Sequence, residues 1–360
     1  MKKMHDAPVR ILKRAELPAR TATLLRFAAL ALSLCVGGLF ILSLGQSPAA
    51  IYGTIISGAF RSKLAIQGTV KLMIPMLIAS LGVTMAFKMR FWNIGAEGQI
   101  TMGAAFASYF ALYYDGWNHW LLIAVMLVAG TLGGGLWGLI PAWFKTRYGT
   151  NETLFTLMLN YIAMYIVKYL RDGPWMDPEL QGYTAIARFD KNATLDKVLG
   201  VHFGWIIALV LFAAVYIYLK YTKQGYEIAV VGESQDTARY AGMNVKSIML
   251  RTMFLSGAIA GLCGMIQATG ADITLTPSVA GGVGFTAIII AWLGRLDPRA
   301  IFVITFLFAI LEKGSSVVQS TYGISTNCAD VLQGIILFFV LGCEFFVNYR
   351  FVFGRGGNAK

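Results

Sequence analysis

Lys220–Asn244 reads KYTKQGYEIAVVGESQDTARYAGMN, a polar stretch set between long apolar runs. It holds its own helix punctuation. Ser234 is placed to cap a short helix, and Asp236 falls in the first turn, where the helix dipole favours a negative charge. Gly242 follows the last helical position, where a left-handed ending costs glycine little. About seven residues of helix are well short of the roughly 12–15 that stand even marginally alone in water. The segment is therefore expected to dock on something.

The chain around it is membrane-like. Hydrophobic residues make up 57% of its 360 residues, charged residues 13%, and mean hydropathy is +0.64. A soluble domain carries about 25% charged residues. Apolar runs near 20 residues recur, each enough to cross a hydrocarbon layer of about 30 Å. The expected class is all-α, a polytopic membrane protein with about ten transmembrane helices, one of them broken or re-entrant. The net charge of +12 does not indicate nucleic acid, because no basic run interleaves with aromatics outside the apolar segments. Cys35, Cys263, Cys328 and Cys343 lie in or beside apolar runs without pairwise spacing, so neither a metal site nor a disulfide framework is expected. His5, His119 and His202 are isolated. Phosphate-loop, nucleophile-elbow and HExxH motifs are missing.

Residues 1–26 form a basic segment with Lys2, Lys3, Arg10, Lys13, Arg14, Arg20 and Arg26. The first apolar run, about 24–44, is long and lacks a clear small-residue cleavage site, so it reads as a retained helix. Residues 45–70 read as an amphipathic segment at the far interface. Further spans are expected near 70–87, 94–114, 119–144, 153–170, 204–219, 249–268, 285–294, 300–317 and 328–347. The transmembrane domain then covers 27–347, with a polar excursion at 171–203 and the central loop at 220–248. Residues 348–360 form a basic tail. Thr269–Gly284, rich in Gly, Thr and Pro, is unsuited to a lipid-facing helix, and irregular backbone at that depth needs protein or a watery cavity around it. With ten crossings both termini share one side, which collects most of the 30 lysines and arginines. Positive residues favour the cytoplasm, so the termini and the central loop are expected there.

Polar residues inside the apolar runs mark candidate sites. Arg90–Gln99 reads RFWNIGAEGQ at the start of one span. A carboxylate at mid-membrane costs roughly 2.5–3.5 kcal/mol, so Asn93, Glu97 and Gln99 need partners or water. On a continuous helix Asn93 and Glu97 share a face and Gln99 is rotated away. Asn151, Glu152 and Asn160 recur in the fifth span, with Phe155 between them. Gln267 precedes the Gly-rich break, which holds Asp272, Thr274, Thr276 and then Phe285. Broken helices near the midplane are where transporters gather substrate groups. The expected translocation pathway therefore comprises Asn93, Glu97, Gln99, Asn151, Glu152, Phe155, Asn160, Gln267, Thr276 and Phe285. Trp92, Trp117, Trp120, Trp143, Trp175 and Trp205 fall near span boundaries, as an aromatic belt requires.

Three motifs, in order, resemble those of bacterial ABC importer permeases of the branched-chain amino acid, ribose and nucleoside superfamily. They are Phe91–Gln99 (FWNIGAEGQ), Asn151–Leu154 (NETL) with Thr156–Tyr161 (TLMLNY), and Gly225–Glu233 (GYEIAVVGE) continued by Ala238–Gly242 (ARYAG). The similarity covers roughly residues 65–345 and is strongest to the guanosine and purine-nucleoside permeases. The basic N-terminal extension and the 172–200 excursion depart from it.

The resemblance implies a permease subunit of the bacterial inner membrane. It would pair with a second, related permease, with two cytoplasmic ATPase subunits and an extracytoplasmic solute-binding protein. ATP and Mg would be bound by the ATPases, and this chain would hold no cofactor. The third motif would be the segment coupled to the ATPase: Gly225, Tyr226, Glu227, Gly232, Glu233, Ser234, Ala238, Arg239, Tyr240, Ala241 and Gly242. The expected function is inward movement of a nucleoside-like or sugar-like solute by alternating access. The rival is a secondary transporter driven by an ion gradient, with Glu97 as its cation site.

Overall fold

The computed structural model describes residues 9–13, 19–178, 182, 184–325 and 327–353. Strand β1 (Val9–Lys13) precedes α1 (Ala19–Ser43) and α2 (Pro48–Phe60). Helix α3 (Lys63–Lys88) starts where the Ser62 hydroxyl accepts the Ala65 amide, satisfying one of the orphan donors of a helix start. Helices α4 (Ala96–Tyr113), α5 (His119–Tyr148) and α6 (Glu152–Asp172) follow. The excursion holds a 3-10 turn at Lys191–Ala193 and a small antiparallel ladder of β2 (Lys197–Val198) and β3 (Val201–His202). Then come α7 (Gly204–Tyr221), α8 (Lys223–Glu233), α9 (Gln235–Tyr240) and α10 (Val245–Ile266). The chain ends with α11 (Val283–Leu293), α12 (Pro298–Tyr322), α13 (Asn327–Asn348) and β4 (Tyr349–Phe353). Strand β4 pairs antiparallel with β1, with Val9 opposite Phe353 and Lys13 opposite Tyr349.

Among the described residues, six helical runs are long and apolar enough to cross a membrane. A seventh counts if Phe27–Ser43 and Pro48–Phe60, bent by 109°, form one span. Ten crossings divide the chain more finely than this. Helix α11 has 11 residues, too few for about 30 Å of hydrocarbon. The break expected at 269–284 is present. Helix α10 runs on as a π-helical turn, Gln267–Asp272, and then Ile273 takes a left-handed conformation with φ 56°.

Two local expectations change. Residues 45–70 are not one interfacial helix: they divide at Arg61–Ser62 into α2 and the first turns of α3, so the second span begins at Lys63. The central loop is two helices rather than one, because α8 precedes the capped α9.

The chain forms two compact units, Met1–Gly58 with Gly314–Lys360, and Ala59–Lys313. In the first, α1 packs along α13. The second holds every candidate site residue. Its centre is α10 against α3, α4 and α5, and glycine makes the approach possible. A Cβ on Gly103 would clash with the backbone of Gly261, one on Gly134 with the carbonyl of Gly257, and one on Gly264 with the carbonyl of Ile100. Small residues let helix backbones approach in this way, so packing replaces the missing hydrophobic drive between helices in lipid. The membrane-crossing windows of α3 and α10 are 83% and 72% buried, whereas those of α6 and α7 are 28% and 22% buried. The first pair is core and the second faces outward.

Candidate functional site

The start of α4 is the polar centre of the second unit. Residues 91–95 are not helical, and α4 begins only at Ala96. This overturns the shared face of Asn93 and Glu97. Asn93 instead turns back onto Gln99, the residue expected to point away. Its Nδ2 donates to Gln99 Oε1 at 3.1 Å, and Gln99 Nε2 donates to Asn93 Oδ1 at 3.2 Å. Both side chains are fully buried. Asn93 Oδ1 also accepts the Gly95 amide, and Asn93 Nδ2 reaches Ser256 Oγ on α10 at 3.4 Å. Two amides with two polar ends each thus pair with one another where an unpaired end costs about 1–3 kcal/mol.

The orphan amides of the α4 start are capped from α6. Asn160 Oδ1 accepts the Gly98 amide at 2.8 Å, and Asn160 Nδ2 donates to the Ile94 carbonyl at 2.9 Å. Thr156 Oγ1 accepts the Ile94 amide at 3.2 Å. Gly98 is needed because a Cβ there would stand 2.9 Å from Asn160 Cα. Glu97 points the other way. Its Oε1 accepts the Gly282 amide at 2.7 Å and its Oε2 the Gly284 amide at 2.8 Å. One carboxylate thereby sits in the first turn of α4 and at the start of α11, where both dipoles favour it. It pins the broken helix to the core.

The other predicted pathway residues are spread out. Asn151 caps α6 by accepting the Thr153 and Leu154 amides. Glu152 pairs with Lys145 of α5 at 2.8 Å. Phe155 lies on Phe144, with ring centres 4.8 Å apart. Gln267 bonds Asp272 at 3.3 Å across the π turn. Thr276 faces a cavity of about 860 Å³ between the excursion and the break, beside Arg171, Thr184, Arg188, Thr274 and Ser278. Phe285 is exposed on α11. Near it in sequence, Trp292 stacks on Trp92, their centres 5.5 Å apart, and Phe87 completes the cluster.

The excursion closes over the break. The Phe189 amide donates to the Ile273 carbonyl and the Leu195 amide to the Thr269 carbonyl. His202 of β3 lies against Gly270, buried, and neither ring nitrogen has a partner. Burial lowers its pKa to about 4, and the nearby Lys71 charge adds to the effect.

At the other end of α3, helices α8 and α9 rest on the core. Thr222 caps α8 by accepting the Gly225 amide. Gly225 abuts the Tyr218 carbonyl and Gly232 abuts the Lys88 carbonyl, contacts a Cβ would prevent. Glu227 bonds Arg251 of α10 at 2.9 Å, so its carboxylate is committed within the chain. Ser234 accepts the Thr237 amide, and Gly242 has φ +78°, as the sequence predicts. Ala238 is fully buried and turns inward. Glu233 closes α8, and Arg239 pairs with Asp236 beside it at 3.1 Å. Tyr226 is 64% exposed, and Tyr240, ahead of Ala241 at the C-cap, is 96% exposed. Sequence reasoning gave Arg251 and Ser256 no role and met Thr156 only as part of a motif; the signal of the first two was a polar side chain within an apolar helix. Among the described residues no group of three or more His, Cys, Asp or Glu side chains is placed to hold a metal ion.

Comparison with known proteins gives one family model, described as the permease component of the branched-chain amino acid transport system, which matches residues 64–341. A glucose ABC transporter permease protein, TsgB13 of Haloferax volcanii, is 30% identical over 91% of this chain and 89% of its own length. The guanosine ABC transporter permease protein NupP of Bacillus subtilis is 28% identical over 91% of this chain and 94% of its own. The nucleoside ABC transporter permease protein NupB of Lactococcus lactis is 28% identical, covering 85% of this chain and 86% of its own.

Proposed function

Because the chain belongs to the permease-component family of branched-chain amino acid transport systems, we propose that it is the membrane-spanning subunit of an ABC importer for a nucleoside-like or sugar-like solute. Members of the family are transport subunits of the cytoplasmic (inner) membrane that work with ATPase partners. The finer reading is that ATP hydrolysis on two such partners drives inward movement, with ATP and Mg held there. A second, related permease and an extracytoplasmic solute-binding protein would complete the assembly. Both termini and the α8–α9 unit would be cytoplasmic, with ten crossings if α11 and its neighbours count as a broken span. Similarity to both guanosine and glucose permeases supports a polar, ring-shaped solute and leaves nucleoside and sugar as the two candidates.

The observation that carries the coupling reading is the α8–α9 unit. Its inner face is fixed by Glu227–Arg251, Gly232 and Ala238, and its apex presents Tyr240 to solvent. A six-residue helix held this firmly can pass a push from a partner straight into α10, which carries the break. Within the coupling segment, Tyr226, Arg239 and Tyr240 are the residues offered outward, while Glu227 and Ala238 transmit. Glu97 already accepts two backbone amides, which favours a bracing role over a cation site and so favours the ABC reading over the secondary transporter.

The test is co-purification of the ATPase with full-length variants. Tyr240→Ala should reduce the bound ATPase at least several-fold while leaving the permease's own melting temperature unchanged. Undiminished ATPase binding and transport in Tyr240→Ala would remove α9 as the coupling element.

A further inference from the structure

Beyond the pathway and the α8–α9 unit, three helix ends carry a basic group. They are the last turn of α7 with Lys220, the start of α12 with Arg299, and the end of α3 with Lys88. Lys220 Nζ lies 3.1 Å from Tyr216 Oη and 5.4 Å from the centre of its ring. The Arg299 guanidinium approaches the same ring from α12, with Cζ 5.7 Å from its centre. Lys220 also lies 5.6 Å from the Tyr221 ring. One cation thus bonds the phenol oxygen and the other approaches its ring. Asp297 pairs with Arg299 at 3.0 Å. Among the described residues it is the one carboxylate in ion-pair contact with this group. Hydrogen bonds from Arg299 hold its carboxyl below the usual range, and the Lys88 charge acts in the same direction.

Three cations against one carboxylate is a repulsive arrangement that a further anion relieves. Its place says which anion. Helices α7 and α12 are both long and apolar enough to cross a membrane, and below the cluster they touch through Phe212 and Phe302, with ring centres 5.2 Å apart. The outward surface of α7 beneath Lys220 is apolar, with Val210 and Ile217 exposed. The cations therefore sit at the end of a lipid-facing surface, with apolar side chains on the membrane side and water on the other. Basic groups between spans at this level suit lipid headgroups.

On the reading that these helices cross the bilayer, we infer that Lys220, Arg299 and Tyr216 bind the phosphate-bearing headgroup of an anionic phospholipid. The lysine supplies a point charge and the arginine a planar fork that matches phosphate. The acyl chains would lie along α7 and α12. A lipid held there would also fix the end of α7 that leads into α8.

The test is native mass spectrometry of the full chain in detergent, titrated with phosphatidylglycerol, phosphatidylcholine or inorganic phosphate. Phosphatidylglycerol should bind more tightly than phosphatidylcholine. Binding should weaken about fivefold in Lys220→Gln and about thirtyfold in Lys220→Gln/Arg299→Gln, the loss expected for one and two cations at a charged surface. The charge-keeping pair Lys220→Arg/Arg299→Lys should retain most of it, and Lys246→Gln, at the start of α10, should leave it unchanged. Melting temperatures of all variants check that they fold. Equal binding of the two lipids, or equal binding by the double Gln variant, overturns the site. Inorganic phosphate displacing phosphatidylglycerol at equal concentration makes it a free-phosphate site. Loss of ATPase co-purification with lipid binding unchanged makes it a protein surface. Either result contradicts the lipid assignment.

Discussion

Asn160 and Glu97 do for α4 and α11 what caps do at the ends of soluble helices, but they reach across from other elements. Asn160→Ala would strand the Gly98 amide and the Ile94 carbonyl in a buried place. A loss of about 2–6 kcal/mol is expected, since each stranded group costs about 1–3, and it should read as a lower melting temperature of the purified chain. Asn160→Asp keeps the acceptor for Gly98 but turns an oxygen toward the Ile94 carbonyl, so it should not rescue. Glu97→Gln keeps one acceptor of two and removes the charge, weakening the pin on α11 while sparing the packing. Uptake should fall about tenfold or more with assembly intact, since bonds to charged groups are worth about 1.5–3 kcal/mol each. His202 gives a pH signature. Its pKa of about 4 lies below its ordinary value, so the unfolded chain binds the extra proton first as pH falls. The stability that neutral burial contributes is complete above about pH 6.5. It is lost progressively as pH falls from there to about 4, by up to about 3 kcal/mol. His202→Phe should flatten that part of a melting-temperature profile; an unchanged slope would mean other groups set it.

Among the elements, the glycine contacts of α10 set the spacing of the core. Gly261→Ala puts a methyl against the Gly130 carbonyl and the Gly134 Cα. Backbone, rather than a flexible side chain, must then move, and overpacking of this kind costs about 1–3 kcal/mol or more. The variant should melt well below the parent, whereas Gly53→Ala, with nothing near its Cβ, should be neutral or slightly stabilising. Helix α9 was legible in the sequence because its signals are local: a serine, an aspartate one turn in, a glycine after the end. Helix α8 was not. Gly225, Gly232, Val230 and Val231 all argue against a helix of 11 residues. It forms because those glycines seat it on the Tyr218 and Lys88 carbonyls, a tertiary contact invisible to propensity. The start of α3 was hidden similarly. Residues 45–70 read as one interfacial segment, yet within it Gln67, and just beyond it Lys71, bond the carbonyls of Leu199 in the excursion and Ala271 in the break. The mutual pairing of Asn93 and Gln99 was missed for the opposite reason: a continuous helix was assumed through residues 91–95, where the chain in fact turns.

Over the whole molecule, membrane character was plain from composition, and the break at 269–284 from its Gly, Thr and Pro content. The number of crossings was less legible. Spans buried against other spans need neither the length nor the unbroken apolarity of a lipid-facing helix, and α4 and α11 use that freedom. At this scale we propose that the α8–α9 unit takes the work of a separate ATPase and delivers it to the pinned, broken helix. The most direct test is uptake of labelled purine nucleoside and labelled glucose in cells lacking this chain, with the full-length chain restored, and with the ATPase subunit present or deleted. The restored chain is expected to recover uptake of at least one of the two solutes only when the ATPase is present. Recovery that persists without the ATPase would contradict it and make the protein a transporter driven by an ion gradient.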